Sequence, residues 1–235
     1  MAATPTNSPP MTYEDNFLTA EEVEELTEVL RKLPFMHSEH VLFDRECKSS
    51  VLYFWLTDHG LPYVFGASMT NALIPHFFED YPELDKLRRK IEARTNLPFN
   101  SVLINFYKDG NTSLGAHSDD DPWLGDRFIV PSLSIGATRF FDVTSKSAVR
   151  TKRTPSGKPV SEEKHRYVLK SGSLVIMGED MQRGWVHSIP KQKKAIDDSG
   201  KRLKTDTGFR FNLTFRNVIP ELARRMPSGR KPKLT

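Results

Sequence analysis

Arg210-Phe211-Asn212-Leu213-Thr214-Phe215-Arg216, the stretch RFNLTFR, alternates strictly. In an extended chain Phe211, Leu213 and Phe215 fall on one side and Arg210, Asn212, Thr214 and Arg216 on the other. A helix would scatter these residues around its circumference, so the period of two predicts a strand with one apolar and one hydrogen-bonding face. Such a strand fits two places: the edge of a sandwich, polar face in solvent, or the wall of a polar cavity inside a barrel. The upstream segment VLINFYKDG, residues 102–110, poses the same choice, because Asn105 and Tyr107 share one face while Ile104 and Phe106 share the other.

Outward from these two segments the pattern repeats. SVLINFY (101–107), SLSIGATRFFDV (132–143), YVLKSGSLVIM (167–177) and FRFNLTFR (209–216) are short apolar segments separated by Gly, Pro and charged loops, the mark of a sandwich or jelly roll. Before about residue 99 the reading changes to helix. Thr19 and Glu22 form a capping box ahead of Val23, Leu26 and Leu30, which predicts a helix over 19–33. Pro82 opens a second, with Leu84, Leu87 and Ile91 at helical spacing and Asn96 or Pro98 as its stop. The predicted class is therefore mainly β with flanking helices (α+β). The stretches 145–164 and 191–208 are polar and Lys-rich and read as long surface loops.

A chain of 235 residues with 37% hydrophobic content supports one substantial core, and one catalytic domain is expected over 13–219. The opening MAATPTNSPP lacks an apolar run of signal-peptide length, so residues 1–12 read as a disordered tail, and residues 220–235 as a basic one. A single cysteine, Cys47, forms no intramolecular disulfide and argues against a cysteine-based metal cluster within the chain. An intracellular monomer, nuclear or cytoplasmic and without a membrane span, is the expectation. The net charge of +4 hides a gradient: residues 1–100 carry 9 basic against 16 acidic groups, residues 101–190 carry 12 against 10, and residues 191–235 carry 13 against 4. A basic C-terminal end suits a polyanion, although a solvated tail would look the same.

His117-Ser118-Asp119 places an imidazole and a carboxylate on the same side of extended backbone through its i, i+2 spacing. With His187 downstream they complete a two-His, one-carboxylate set, which on non-haem Fe(II) leaves coordination positions open. A catalytic zinc uses the same ligand types. Arg210, some twenty residues after His187, favours iron: a dicarboxylate that chelates the metal through a 2-oxo acid needs a partner for its far carboxylate, and a guanidinium fork suits it.

The elements LPYVFG (61–66), VLINFYKDG, LGAHSDDD (114–121), PSLSIGATRFFDV (131–143), SGSLVIM (171–177), VHSIP (186–190) and RFNLTFR, in that order, resemble the AlkB family of nucleic-acid demethylases. The resemblance implies a double-stranded β-helix (jelly roll) core flanked by N-terminal helices. It implies Fe(II) on His117, Asp119 and His187, with 2-oxoglutarate and O₂ as co-substrates. Asn105, Tyr107, Arg210, Asn212 and Arg216 match residues around 2-oxoglutarate, Arg210 at the far carboxylate. Decarboxylation of 2-oxoglutarate to succinate would be coupled to hydroxylation of an N-methyl group, which then leaves as formaldehyde. Bases such as N1-methyladenine and N3-methylcytosine are the implied substrates, in DNA or RNA as the partner. Tyr63 and Phe65 match aromatics near the base, and Asp121 matches an acidic residue that reads its edge. A core role for Phe65 and a solvated one for Asp121 are the plainer alternatives. The Lys-rich loops and the RKPK segment (230–233) would grip phosphates. No intercalating finger is recognisable between His37 and Trp55, so strand preference stays open.

Overall fold

Strand β14 (Arg210–Arg216) lies in the interior of a sheet, and all seven of its residues are buried. β5 (Ser101–Tyr107) pairs antiparallel on one side, with Arg210 opposite Tyr107 and Arg216 opposite Ser101. β7 (Ile129–Gly136) pairs on the other, with Arg210 opposite Gly136. The edge-strand reading of RFNLTFR is thereby excluded. The computed structural model describes residues 8–42, 45–64, 71–125, 128–146 and 164–224. Its larger sheet runs β1 (Met11–Glu14), β10 (Leu174–Gly178), β7, β14, β5, β3 (Arg45–Thr57) and β2 (Met36–Leu42), with β4 (Pro75–His76) alongside β3. The second sheet runs β6 (Leu114–His117), β11 (Trp185–Ile189), β8 (Arg139–Ser145) and β9 (Lys164–Leu169).

The larger sheet is buried on both faces, and each face belongs to a different core. On one, Phe54, Ile104, Leu133, Phe211 and Leu213 pack with Leu26 and Leu30 of α1 (Ala20–Arg31) and with Leu84, Leu87 and Ile91 of α2 (Pro82–Thr95). On the other, Tyr53, Trp55, Leu103 and Tyr107 share a core with Phe141, Val143, Trp185 and Ile189 of the second sheet. Two facing sheets with helices on the outer side form the expected jelly-roll core. The helix signals are realised: the Thr19 hydroxyl accepts from the Glu22 N–H while the Glu22 carboxylate accepts from the Thr19 N–H. Asn96 ends α2 in the left-handed conformation, φ 55°.

Several expectations need correction. The first half of the chain is not dominated by helices, since β1, β2 and the 13-residue β3 belong to the larger sheet. Strand β3 hides because VLYFWL (51–56) is covered on both faces, which erases the alternation that marks a half-exposed strand. Met11 and Thr12, read as tail, pair with Met177 and Ile176; residues 1–7 lie outside the described residues. The stretch 191–208 contains a hairpin, β12 (Lys194–Ile196) with β13 (Arg202–Asp206), turning at Gly200, φ +84°. The basic tail begins with a short helix, α4 (Pro220–Ala223), and residues 225–235, which include RKPK, lie outside the described residues, as does most of the 145–164 loop.

Leu30 is fully buried between α1 and the sheet, whereas Thr19 acts only through its cap. Leu30→Ala is expected to cost about 2–5 kcal/mol of stability, and Thr19→Ala about 1 kcal/mol. Urea unfolding monitored by circular dichroism measures both.

Candidate active site

His187 on β11 sits directly opposite His117 on β6 in the antiparallel register, so both imidazoles rise from one face of the second sheet, ring centroids 4.3 Å apart. Asp119 follows two residues after the end of β6, and its Oδ2 stands 3.5 Å from His187 Nε2. One donor atom from each of the three lies within 4.8 Å of the others. The donor set fits a single ion of the Fe(II) type, and the tautomer supports it: His117 Nδ1 lies 2.9 Å from the Gly115 carbonyl. That oxygen only accepts, so Nδ1 carries the proton and Nε2 presents a lone pair.

Arg216, at the end of β14, donates to Asp119 Oδ1 at 2.7 Å, and both side chains are almost wholly buried. Burial alone would raise the Asp119 pKa, but Arg216, His187 and His117 outweigh it and hold the carboxyl well below the usual carboxylate range. The ligand is therefore ionised before any metal arrives. Burial pushes the His117 imidazole below its ordinary value, helped by His187, which keeps it neutral and able to coordinate.

A cavity of about 510 Å³ opens beside these groups, walled by Asn105 and Tyr107 of β5, Ser132 of β7, Asn212, Thr214 and Arg216 of β14, and the three candidate ligands. The polar face of RFNLTFR is thus turned inward. Arg210 stands just behind this wall. Its Nη2 donates to Ser134 Oγ and Asn212 Oδ1, while Nε and Nη1 are buried without a hydrogen-bond partner among the described residues. Burial pushes its guanidinium down to about 10. Asn105 Oδ1 and the Nε and Nη1 of Arg216 are orphaned likewise. Buried groups of this kind cost stability unless satisfied; the guanidinium N–H groups fit an anionic ligand such as a dicarboxylate, whereas Asn105 Oδ1 only accepts.

On the far side of the cavity Tyr63 donates its hydroxyl proton to Asp121 Oδ2 at 2.8 Å. Burial raises Asp121 to about 6, against the pull of Arg216 and Tyr63. Burial also pushes the Tyr63 phenol well above 10. The ring of Tyr63 packs on Trp55, 4.9 Å between centroids, and edge-on to Trp123 at 5.7 Å. Asp121 is therefore a wall of the cavity rather than a solvated member of an acidic run. Phe65 lies outside the described residues.

Sequence reasoning passed over several residues that hold the site. Gln182, in α3 (Glu179–Gly184), is fully buried and its Oε1 accepts the Asp119 N–H at 2.8 Å. Ser118 donates to the Trp185 carbonyl at 3.0 Å, so the His117–Asp119 segment is stitched to the run that leads into His187. A lone Gln in a polar turn carries no sequence signal for this role. Ser132 and Ser134 could have been found, since their i, i+2 spacing on β7 repeats that of Arg210 and Asn212 on β14.

Residues 10–216 match the family model of the 2OG-Fe(II) oxygenase superfamily. Alpha-ketoglutarate-dependent dioxygenase alkB homolog 3 of Mus musculus is 35% identical over 161 residues, 68% of this chain and 50% of that protein. DNA oxidative demethylase ALKBH2 of Homo sapiens is 33% identical over 162 residues, 69% of this chain and 54% of its own length. The chain thus spans about half the length of these curated relatives. The solved structure of OsALKBH1 superposes with a TM-score of 0.55 at 20% identity, covering 89% of this chain and 99% of that one, a likeness of fold. With the ligand triad, the inward polar strand and a match over residues 10–216 in agreement, the chain belongs to the 2OG-Fe(II) oxygenase superfamily, among its AlkB-type members.

Proposed function

We propose that this chain is an Fe(II)- and 2-oxoglutarate-dependent dioxygenase that removes N-methyl groups from nucleobases such as N1-methyladenine and N3-methylcytosine in DNA or RNA. The observation that carries the reading is the hydrogen-bonded Tyr63–Asp121 pair in the same cavity as the His117, Asp119 and His187 triad. Bound iron with 2-oxoglutarate and O₂ supplies the oxidation of the methyl C–H bond. The chain supplies position and polarity. His117, Asp119 and His187 hold the metal, with Arg216 keeping Asp119 ionised and Gln182 fixing the backbone that carries it. Arg210, through its two unpaired donors, receives the far carboxylate of 2-oxoglutarate, and Asn105, Tyr107 and Asn212 line the path to it.

For the substrate, Asp121 has one oxygen engaged by Tyr63, and its second oxygen would receive the edge of a methylated base. These bases carry positive charge and pair poorly, which lowers the cost of unstacking them and favours an acidic, aromatic pocket. The name of ALKBH2 as a DNA oxidative demethylase supports this substrate class. The backbone would run past the basic hairpin, where Lys191 and Lys193 are exposed and Lys194 is paired with Asp206 at 2.8 Å.

His117→Ala or Asp119→Ala is expected to abolish tight metal binding. Gln182→Leu is expected to weaken it about 10- to 100-fold, the usual effect of losing an outer hydrogen bond to a ligand. Calorimetric titration of the metal-free protein with Mn(II) reads both, and undiminished binding in Asp119→Ala would move the metal elsewhere.

Arg210→Ala leaves a buried carboxylate of 2-oxoglutarate unpaired, an expected loss of about 3–5 kcal/mol, which is roughly two to three orders of magnitude or more in affinity. Unchanged affinity would assign the far carboxylate to another cation, with Arg216 first in line.

Formaldehyde release from singly methylated single-stranded DNA, duplex DNA and RNA oligonucleotides tests the substrate. Asp121→Asn should reduce release from N1-methyladenine and N3-methylcytosine unequally while leaving metal affinity intact. Neutralising Lys191 and Lys193 should weaken all sequences alike and flatten the salt dependence by up to about one unit of log–log slope per lost phosphate contact. Succinate without formaldehyde from any oligonucleotide would transfer the chain to oxygenation of a protein side chain or small molecule.

A further inference from the structure

Two buried guanidinium groups share one aromatic ring. The Arg139 Cζ lies 5.6 Å from the Tyr107 ring centroid and the Arg210 Cζ lies 5.2 Å from it, both within cation–π range. All three side chains are essentially inaccessible to water. Arg139 opens β8, two residues before Phe141, whose ring lies 5.3 Å from the His187 ring, and so belongs to the wall facing the candidate metal site. Its hydrogen bonds all end on neutral carbonyls: Nη1 donates to Asp109 O at 3.3 Å, and Nη2 to Thr112 O and Pro190 O, each at 2.8 Å. Among the described residues neither Arg139 nor Arg210 has a carboxylate within ion-pair distance.

We propose that Arg139 is a positioning residue for the co-substrate, acting through Tyr107 and the loops it ties, and that its charge makes the site select a dicarboxylic over a monocarboxylic 2-oxo acid. The inference rests on the reading that Arg210 receives the far carboxylate of 2-oxoglutarate. Burial lowers the Arg139 guanidinium, and the Asp109 carboxylate, beyond ion-pair distance, offsets this only in part; such a charge is costly, and a fastening between the 109–112 turn and Pro190 would be served by a neutral donor at less expense. What rewards a cation there is an anion arriving next door. In a dry, weakly screened environment the field of Arg139 reaches a carboxylate held by Arg210 without touching it. Burial first, and the nearby Arg139 charge after it, lower the Arg210 guanidinium. A carboxylate between them relieves that repulsion, whereas a 2-oxo acid ending in a methyl group gains nothing from either charge.

The test titrates anaerobic Fe(II)-loaded protein, as unmodified chain, Arg139→Gln and Arg139→Lys, with 2-oxoglutarate and separately with 2-oxobutyrate, by calorimetry. Thermal unfolding checks that each variant is folded. Arg139→Gln is expected to weaken 2-oxoglutarate about tenfold, with 2-oxobutyrate changed by less than about twofold, because only the dicarboxylate senses the lost charge. In turnover the KM for 2-oxoglutarate should rise while kcat at saturation stays within about twofold. Arg139→Lys keeps the charge and should retain most of the preference, and it decides the matter if the Gln variant fails to fold. Equal weakening of both acids would reduce Arg139 to a loop fastening and overturn the proposal. So would unchanged 2-oxoglutarate affinity in Arg139→Gln, or a complete loss of preference in a folded Arg139→Lys. Failure of the unmodified protein to prefer 2-oxoglutarate over 2-oxobutyrate would instead overturn the co-substrate reading on which the inference rests.

Discussion

Burial of β14 on both faces obliges the polar side chains of Arg210, Asn212, Thr214 and Arg216 to find their partners inside the protein. Phe211, Leu213 and Phe215 commit one face to the helices, and that commitment drives the four polar groups into the space between the sheets. There they cannot be left to water. Asn212 bonds to Ser132 at 2.9 Å, Thr214 to the Leu103 carbonyl at 3.0 Å, and Arg216 to Asp119. The site is in this sense a consequence of how one strand is covered.

The Arg216–Asp119 pair links that strand to the metal centre. Taking both charges out of water is expensive, and such pairs are poor sources of net stability. Its value lies in what it holds: a carboxylate kept ionised and aimed at the two imidazoles. Gln182 and the Ser118 contact to Trp185 fix the backbone that carries this carboxylate. Three ligands from two separate stretches of chain are thereby tied to one another by hydrogen bonds of the chain itself.

The Nε and Nη1 of Arg210, without a hydrogen-bond partner among the described residues, lie behind Tyr107 and Asn212, while the Tyr63–Asp121 pair is hydrogen-bonded and packed against Trp55 and Trp123. One end of the cavity is cationic and unsatisfied, the other acidic and aromatic. A dicarboxylate suits the first of these ends by charge, and the proposed cationic base would suit the second.

Much of this was legible in the residues alone. The strict alternation of RFNLTFR and VLINFYKDG, the capping box at Thr19 and Glu22, and the His117-Ser118-Asp119 spacing are local features, set by backbone periods and hydrogen-bond reach, and all stand in the structure. The direction in which an alternating strand faces is not local, and only the packing of α1 and α2 against Phe211 and Leu213 decided that Arg210 and Asn212 point inward. Strand β3 was unreadable for the converse reason, since covering both faces removes the period that reveals a strand. Gln182 and Arg139 escaped notice because their partners, the Asp119 N–H and the carbonyls of Asp109, Thr112 and Pro190, are backbone groups. Backbone groups are the same in every residue, so what they contact is decided by the fold and leaves no trace in the order of side chains.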